Sequence, residues 1–245
     1  MLKSILFIPD SHIPYQDPVA FSLVMKVVKA VQPDVLVILG DFADFYQVSD
    51  HLKHPSRWES FDSEVQQCKK LLRKLELYAP DSRRYYIMGN HEYRLDRYLA
   101  KNAPDLNPYI SVNQLLELDV NLWQIVQYKE DIHIGPLWIT HDVGESGIHS
   151  TRKAGISYQD NVIIGHNHRL DYHVSGNAKG TPHIAASFGW LGDVSKIDYM
   201  HKLKARTHWS HGFGWGRWDT INNRMYITPV PIIEGTCCVE GKIYK

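Results

Sequence analysis

Arg84-Tyr85-Tyr86-Ile87-Met88-Gly89-Asn90-His91-Glu92 passes from an apolar run to a polar cluster within one short stretch. The run over 84–88 predicts a buried strand. Gly89 then lets the backbone turn tightly or approach another chain segment closely. Asn90, His91 and Glu92 place an amide, an imidazole and a carboxylate at that strand's carboxyl end. The same design recurs in both directions. Ile5 to Ile8 is followed by Asp10-Ser11-His12, and Val35 to Leu39 by Gly40-Asp41. Downstream, Leu137 to Thr140 leads into His141-Asp142, and Val162 to Ile164 into Gly165-His166-Asn167-His168.

Helical patterns separate these strands. Asp17 to Val31 carries Val19, Leu23, Val24, Val27, Val28 and Val31 at helical spacing, with Pro18 suited to a first turn and Pro33 ending it. Ser63 to Tyr78 and Glu92 to Lys101 read as further helices, and Asn113 to Leu118 as a helical turn. The C-terminal part reads as β: His183 to Phe188, Gly216 to Thr220 and Met225 to Thr228, with a turn at Asn222-Asn223. No repeat or linker divides the chain, so the expectation is one α/β domain over 1–245.

Composition narrows the class. The chain has 245 residues, 44% hydrophobic and 22% charged, which excludes a disordered tail, a collagen-like rod and a coiled coil. Lys plus Arg equals Asp plus Glu at 27 each, which argues against a general polyanion binder. Three cysteines, Cys68, Cys237 and Cys238, make no secreted disulfide framework. There is no signal peptide and no apolar stretch near the roughly 20 residues of a membrane span, so a cytoplasmic protein without membrane contact is expected. Fourteen histidines is a high number, and histidine's usual work is metal ligation and proton transfer.

In a layered α/β fold, the carboxyl ends of the strands line one crevice. A lone strand-end Asp or His is more often a cap than a ligand, but five such ends in order ask for a common purpose. Asp, Asn and His in a mixed set suit Mn, Fe, Co or Zn, and no cysteine takes part. Seven candidates, Asp10, His12, Asp41, Asn90, His141, His166 and His168, exceed one tetrahedral site. They fit two ions sharing a carboxylate, the arrangement that phosphoryl chemistry uses. Two divalent ions neutralise an anionic ester and lower the pKa of a bridging water, while a histidine opposite donates a proton to the leaving group.

This ordered set resembles that of the calcineurin-like metallophosphoesterases, whose pattern is D-x-H, G-D, G-N-H-D/E, a lone H and G-H-x-H. The resemblance covers about residues 1–190 and is to the small, single-domain, phosphodiesterase- and nuclease-like branch. It implies two stacked mixed β-sheets flanked by helices, a four-layer αββα sandwich, with a β-rich part over 191–245. It implies two divalent ions, Mn first, with Fe, Ni, Co or Zn as alternatives. Asp10, His12 and His168 would hold one ion, Asn90, His141 and His166 the other, and Asp41 would bridge them. His91 would act as general acid, with Glu92 orienting its ring. Asp44 reads equally as a support for the ligands or as a cap.

The implied activity is hydrolysis of phosphodiester or nucleotide phosphoester bonds by a metal-bridged hydroxide. A DNA or RNA nuclease acting on ends or single strands is the alternative enzyme. A protein-binding scaffold of the same fold is the alternative outside catalysis, and the retained His91 speaks against it. Gly40-Asp41-Phe42-Ala43-Asp44-Phe45-Tyr46 lacks the Arg that protein phosphatases of this superfamily carry after the bridging Asp. That makes a protein phosphatase less expected, and the small size without a large cap points to a nucleotide or single-stranded nucleic acid as partner, with a homo-oligomer left open. Candidate substrate contacts are Asp44, Tyr46, Arg152 and Arg169. Two aromatic segments, Phe42 to Phe61 (with His51, His54 and Trp58) and Phe188-Gly189-Trp190 with Phe213 to Trp218, read either as substrate walls or as packed loops and bends. His201, His208 and His211 read as a surface loop.

Overall fold

The first strand, β1 (Leu2–Ile8), sets the layering. Side chains alternate across a strand, so Ile5 and Phe7 enter one core while Leu6 and Ile8 enter another. A computed structural model describes residues 1–53, 55, 57–145, 147–176, 180–196 and 208–245.

After β1 the chain runs through α1 (Pro18–Val31), β2 (Val35–Ile38), α2 (Phe61–Tyr78), β3 (Arg83–Ile87), α3 (Tyr93–Asn102), α4 (Val112–Leu116) and β4 (Trp123–Val126). It continues through β5 (Asp131–Ile134), β6 (Leu137–Thr140), α5 (Ser150–Tyr158), β7 (Val162–Ile164), β8 (Leu170–Gly176) and β9 (Pro182–Phe188). It closes with β10 (Gly212–Asp219), β11 (Arg224–Pro231), β12 (Cys237–Val239) and β13 (Lys242–Tyr244). The helix starts follow local chemistry. Asp17 accepts from the N–H groups of Val19 and Ala20 at 2.9 and 2.8 Å, and Ser60 accepts from Ser63 at 3.1 Å.

Six strands form the first sheet in the order β11-β10-β1-β2-β3-β4, parallel from β1 to β4 and antiparallel at β10 and β11. Five form the second, β5-β6-β7-β9-β8, with parallel pairs in the middle and antiparallel pairs at both edges. The sheets face each other across Ile5, Phe7, Val37, Leu39 and Ile87 on one side and Leu137, Ile139, Ile163, Ala186 and Phe188 on the other. Helices α1 and α2 cover the outer face of the first sheet, and α5 packs on the second through Ala154, Val162, Ile164 and Ala185. This is the αββα layering expected from the sequence.

Several elements escaped the sequence reading. Strands β4, β5 and β8 alternate weakly and lie at sheet edges. Helix α5 is rich in Ser, Thr and Gly rather than in apolar residues. Cys237 is buried in β12 and Cys238 is exposed, both free. Among the described residues, no helix is long and apolar enough to cross a membrane.

One contact ties the layers together. Phe188 lies 5.3 Å from the Phe7 ring, and a Cβ at Gly214 would come within 2.3 Å of the Phe188 ring. Gly214 is opposite Phe7 in the β1–β10 register, so the absent side chain makes room for an aromatic pair between the sheets. Phe188→Ala is expected to destabilise the protein by about 3–5 kcal/mol, since Phe188 is fully buried. Denaturant unfolding checks this; a change below about 1 kcal/mol would mean that the sheets close over the gap.

Candidate metal centre

Five strand ends meet at the boundary between the two sheets. The first sheet contributes Asp10 and His12 after β1, Asp41 after β2, and Asn90 and His91 after β3. The second contributes His141 after β6 and His166 and His168 after β7. Ligand atoms of Asp10, His12, Asp41 and His168 lie within 4.8 Å of one another, as do those of Asp41, His141 and His166. Asp41 belongs to both groups. Asn90 joins the second, its Oδ1 lying 2.8 Å from His166 Nδ1 and 3.1 Å from His141 Nε2. His12, Asp44 and His91 form a third group at the rim.

The backbone is forced into an uncommon shape to achieve this. His12, Asp41, His166 and His168 all have positive φ, at 50°, 48°, 66° and 56°. Such a conformation costs a side-chain-bearing residue roughly 1–3 kcal/mol and persists only where its surroundings hold it. The Asp41 carbonyl accepts from the N–H groups of both Ser11 and His12 at 2.9 Å. The His166 N–H donates to Asp10 Oδ1 at 2.9 Å. Between the two histidines, the buried Asn167 amide nitrogen lies 2.9–3.1 Å from the hydroxyls of Ser150, Thr151 and Ser187. Gly40, at φ 94°, has no alternative: a Cβ there would stand 2.3 Å from His141 Nδ1.

The electrostatics call for a cation. His141 Nδ1 donates to the Leu39 carbonyl at 2.7 Å, so its Nε2 presents a lone pair. That lone pair faces Asn90 Oδ1 at 3.1 Å and Asp41 Oδ2 at 3.4 Å, and neither oxygen can donate. Only a proton or a metal resolves the opposition. Burial disfavours a charged His141, yet the Asp41 and Asp10 carboxylates and the Leu39 carbonyl push it up to about 10. Burial likewise opposes ionisation of Asp41, while the His91 and His141 imidazoles hold it well below the usual carboxylate range. Burial and the neighbouring His141 push His166 down. Asp10 Oδ2 is buried without a hydrogen-bond partner, and His12 Nε2 faces His168 Nε2 at 3.0 Å. Mixed carboxylate, amide and imidazole donors without thiolate fit borderline divalent ions.

Other sequence-selected residues fall differently. Glu92 does not orient the His91 ring. Its buried carboxylate accepts from the N–H groups of Asp41, Gly89 and Ala43 and from the Tyr86 hydroxyl, all at 2.8–2.9 Å. The carboxylate beside His91 belongs to Asp44, whose Oδ2 lies 3.3 Å from both His91 Nδ1 and His12 Nδ1. Asp44 thus supports the rings; Phe45 precedes the 3₁₀ turn at Tyr46–Val48, which has no side-chain cap. The Tyr46 hydroxyl donates to the Leu52 carbonyl at 3.1 Å. Arg152 stands exposed on α5, and Arg169 reaches the Gly147 and Asn167 carbonyls at 3.4 Å. Phe42 and Phe45 join the core, whereas Trp58 is exposed. Trp190 is buried and stacks on His168 at 5.1 Å, with the half-buried Trp209 edge-on at 4.3 Å. His54 and His201 lie outside the described residues.

Two arginines were missed. Arg94 Nη1 donates to the Asp44 carbonyl at 2.7 Å and lies 3.2 Å from its carboxylate, while Nη2 is 3.0 Å from His91 Nε2. Arg57 Nη2 lies 3.8 Å from the Asp44 carboxylate. The turn that leads into α3 brings Arg94 back over His91, its N–H donating to the His91 carbonyl at 3.1 Å, so Arg94 could have been found from its closeness in sequence to that residue. Nothing local points to Arg57.

A family model described as calcineurin-like phosphoesterase matches residues 3–178. The gene 54 protein of Mycobacterium phage L5 is 28% identical over 265 aligned positions, covering 100% of both chains. Among solved structures, vacuolar protein sorting 29 from Cryptosporidium parvum is similar over 99% of this chain and 94% of its own, at 12% identity and a TM-score of 0.47. YfcE, a phosphoesterase from E. coli, is similar over 92% of this chain and 98% of its own, at 12% identity and a TM-score of 0.37.

The His141 environment makes metal uptake proton-coupled. Its folded pKa of about 10 lies above the ordinary 6.5. In metal-free protein its stabilising effect is therefore complete below pH 6.5 and fades as pH climbs through about 10. Divalent ions added at about pH 8 are expected to release a proton and to bind more tightly as pH rises. Calorimetry in buffers of different ionisation enthalpy checks this, and a buffer-independent heat would show His141 already neutral.

Proposed function

Because the chain belongs to the calcineurin-like phosphoesterases, we propose that it hydrolyses phosphodiester or nucleotide phosphoester bonds at the cluster centred on Asp41. The observation that carries the reading is that Asp41 belongs to both ligand groups. Asp10, His12 and His168 would hold one divalent ion, Asn90, His141 and His166 the other, and Asp41 would serve both. Manganese is the ion proposed first, with Fe, Co, Ni or Zn compatible with the same donors. When bound, the two ions offset the negative charge of the ester and supply a water acidic enough to attack near neutral pH.

The rest falls to the chain. His91 is the proton donor to the leaving oxygen. The Asp44 carbonyl holds its Nδ1 at 3.1 Å, which turns Nε2 toward Asp41, 3.8 Å away. Burial pushes His91 down from the ordinary histidine value, while the Asp41 and Asp44 carboxylates beside it favour its protonated form. Glu92 keeps Asp41 and Gly89 in place through their N–H groups. The half-buried Trp209 beside His168 adds an aromatic side chain to the centre, in keeping with nucleotides or single-stranded nucleic acid as substrate. The chain acts as one domain over 1–245, because β10 and β11 from its last part complete the first sheet.

The test is hydrolysis of a chromogenic phosphodiester and the matching monoester by metal-stripped protein resupplied with Mn, Ni, Zn or Mg. Turnover that depends on added metal is expected, and none with any metal would overturn the reading. His91→Ala should keep both ions and lose roughly 10²–10⁴ of turnover. Unchanged turnover removes His91 as the acid. Asp41→Asn should weaken both ions, and a variant holding two at full occupancy refutes the shared ligand.

A further inference from the structure

Arg57 and Arg94 bring more positive charge to the rim of the centre than Asp44 can balance. Both guanidinium groups are largely buried, at 11% and 13% side-chain exposure, and both lie against this one carboxylate. The donors of Arg57 are poorly used. Arg57 Nε is buried without a partner, and the 3.8 Å from Nη2 to Asp44 exceeds a hydrogen bond. Its Cζ lies 3.8 and 4.3 Å from the Tyr15 and Tyr46 ring centroids, which hold the guanidinium in place. Arg94 Nη2 is spent on His91 Nε2, a neutral imidazole nitrogen and a weak match for a charged donor. The nearby Glu64 does not fill the gap: its carboxylate is buried and accepts from the Phe45 N–H.

We infer that Arg94 is a specificity-determining residue, donating Nη2 to a non-bridging oxygen of a terminal phosphate. Arg57 takes over the Asp44 carboxylate when Arg94 turns to substrate. The inference rests on the phosphoesterase reading and names its substrate class as phosphomonoesters. A diester has two non-bridging oxygens sharing one charge, and two ions suffice for them. A monoester near neutral pH carries up to two charges on three such oxygens, and the third needs a donor that is not a metal. Arg94, within hydrogen-bond reach of the proposed acid His91, is placed to supply it. Its departure from His91 Nε2 also frees that nitrogen to take up the proton it then gives to the leaving oxygen.

The experiment compares wild type, Arg94→Gln and Arg94→Lys, resupplied with Mn, on the paired chromogenic monoester and diester. Arg94→Gln should lower kcat/KM for the monoester by roughly 30-fold and for the diester by less than about threefold. Arg94→Lys should recover part of the monoester rate, since it keeps the charge and loses the fork. An equal loss on both esters, or no loss on the monoester, overturns the inference. A second arm needs no turnover. Inorganic phosphate should raise the thermal midpoint of Mn-loaded wild type and do so about tenfold less potently for Arg94→Gln. Equal potency refutes Arg94 as the contact. Failure of wild type to hydrolyse either ester counts against the phosphoesterase reading, while the phosphate arm still decides Arg94.

Discussion

The Asp41 residue is held on every polar side, and the centre depends on that hold. Its N–H donates to Glu92, its carbonyl accepts from Ser11 and His12, and its Oδ1 accepts from the His91 N–H at 2.8 Å. These bonds tie the ends of the first three strands to one residue. They leave Oδ2 facing His141 from the opposite sheet. A carboxylate so placed cannot turn away from its neighbours, and leaving any of these buried donors unpaired would cost free energy. The positive φ of Asp41 is tolerated for the same reason: the bonds that fix the residue outweigh the strain.

Glu92 and Asp44 divide the work between them. Glu92 meets four donors, which keeps the loops after β2 and β3 together. Asp44 meets two imidazoles and two arginines, which places charge next to the chemistry. The first is a structural pin in the interior and the second an electrostatic hub at the rim. Both are buried carboxylates, and their partners rather than their burial distinguish them.

The layering and the converging strand ends were legible because they rest on local patterns. An apolar run that ends in Gly and a polar cluster is visible in the sequence, and five in order specify both the sheets and the crevice. What the sequence concealed depends on distance along the chain. Glu92 and Asp44 are both acids beside a motif, and only the fold shows which one faces His91. Arg57 reaches the site from a loop whose spacing to Asp44 carries no periodicity. Helix α5 was missed because its Ser150 and Thr151 are chosen to hold Asn167, not to present an apolar stripe. Strands β4, β5 and β8 are edge strands that bury few residues, so little apolar pattern marks them.

Strand β1 sits between β2 and β10, pairing Leu2 with Asp219 at its start. The residues of β1 must therefore wait for those of β10, which are synthesised long after them. Until β10 is made, β1 has one side of its hydrogen-bonding groups unpaired, and an open strand edge invites pairing with another chain. The ligands span Asp10 to His168, so the centre cannot assemble from an early fragment either. Such long-range pairing closes slowly. Biosynthesis, more than the finished fold, is where this architecture is vulnerable, and the interval between the making of β1 and that of β10 is the time over which the first strand stays unprotected.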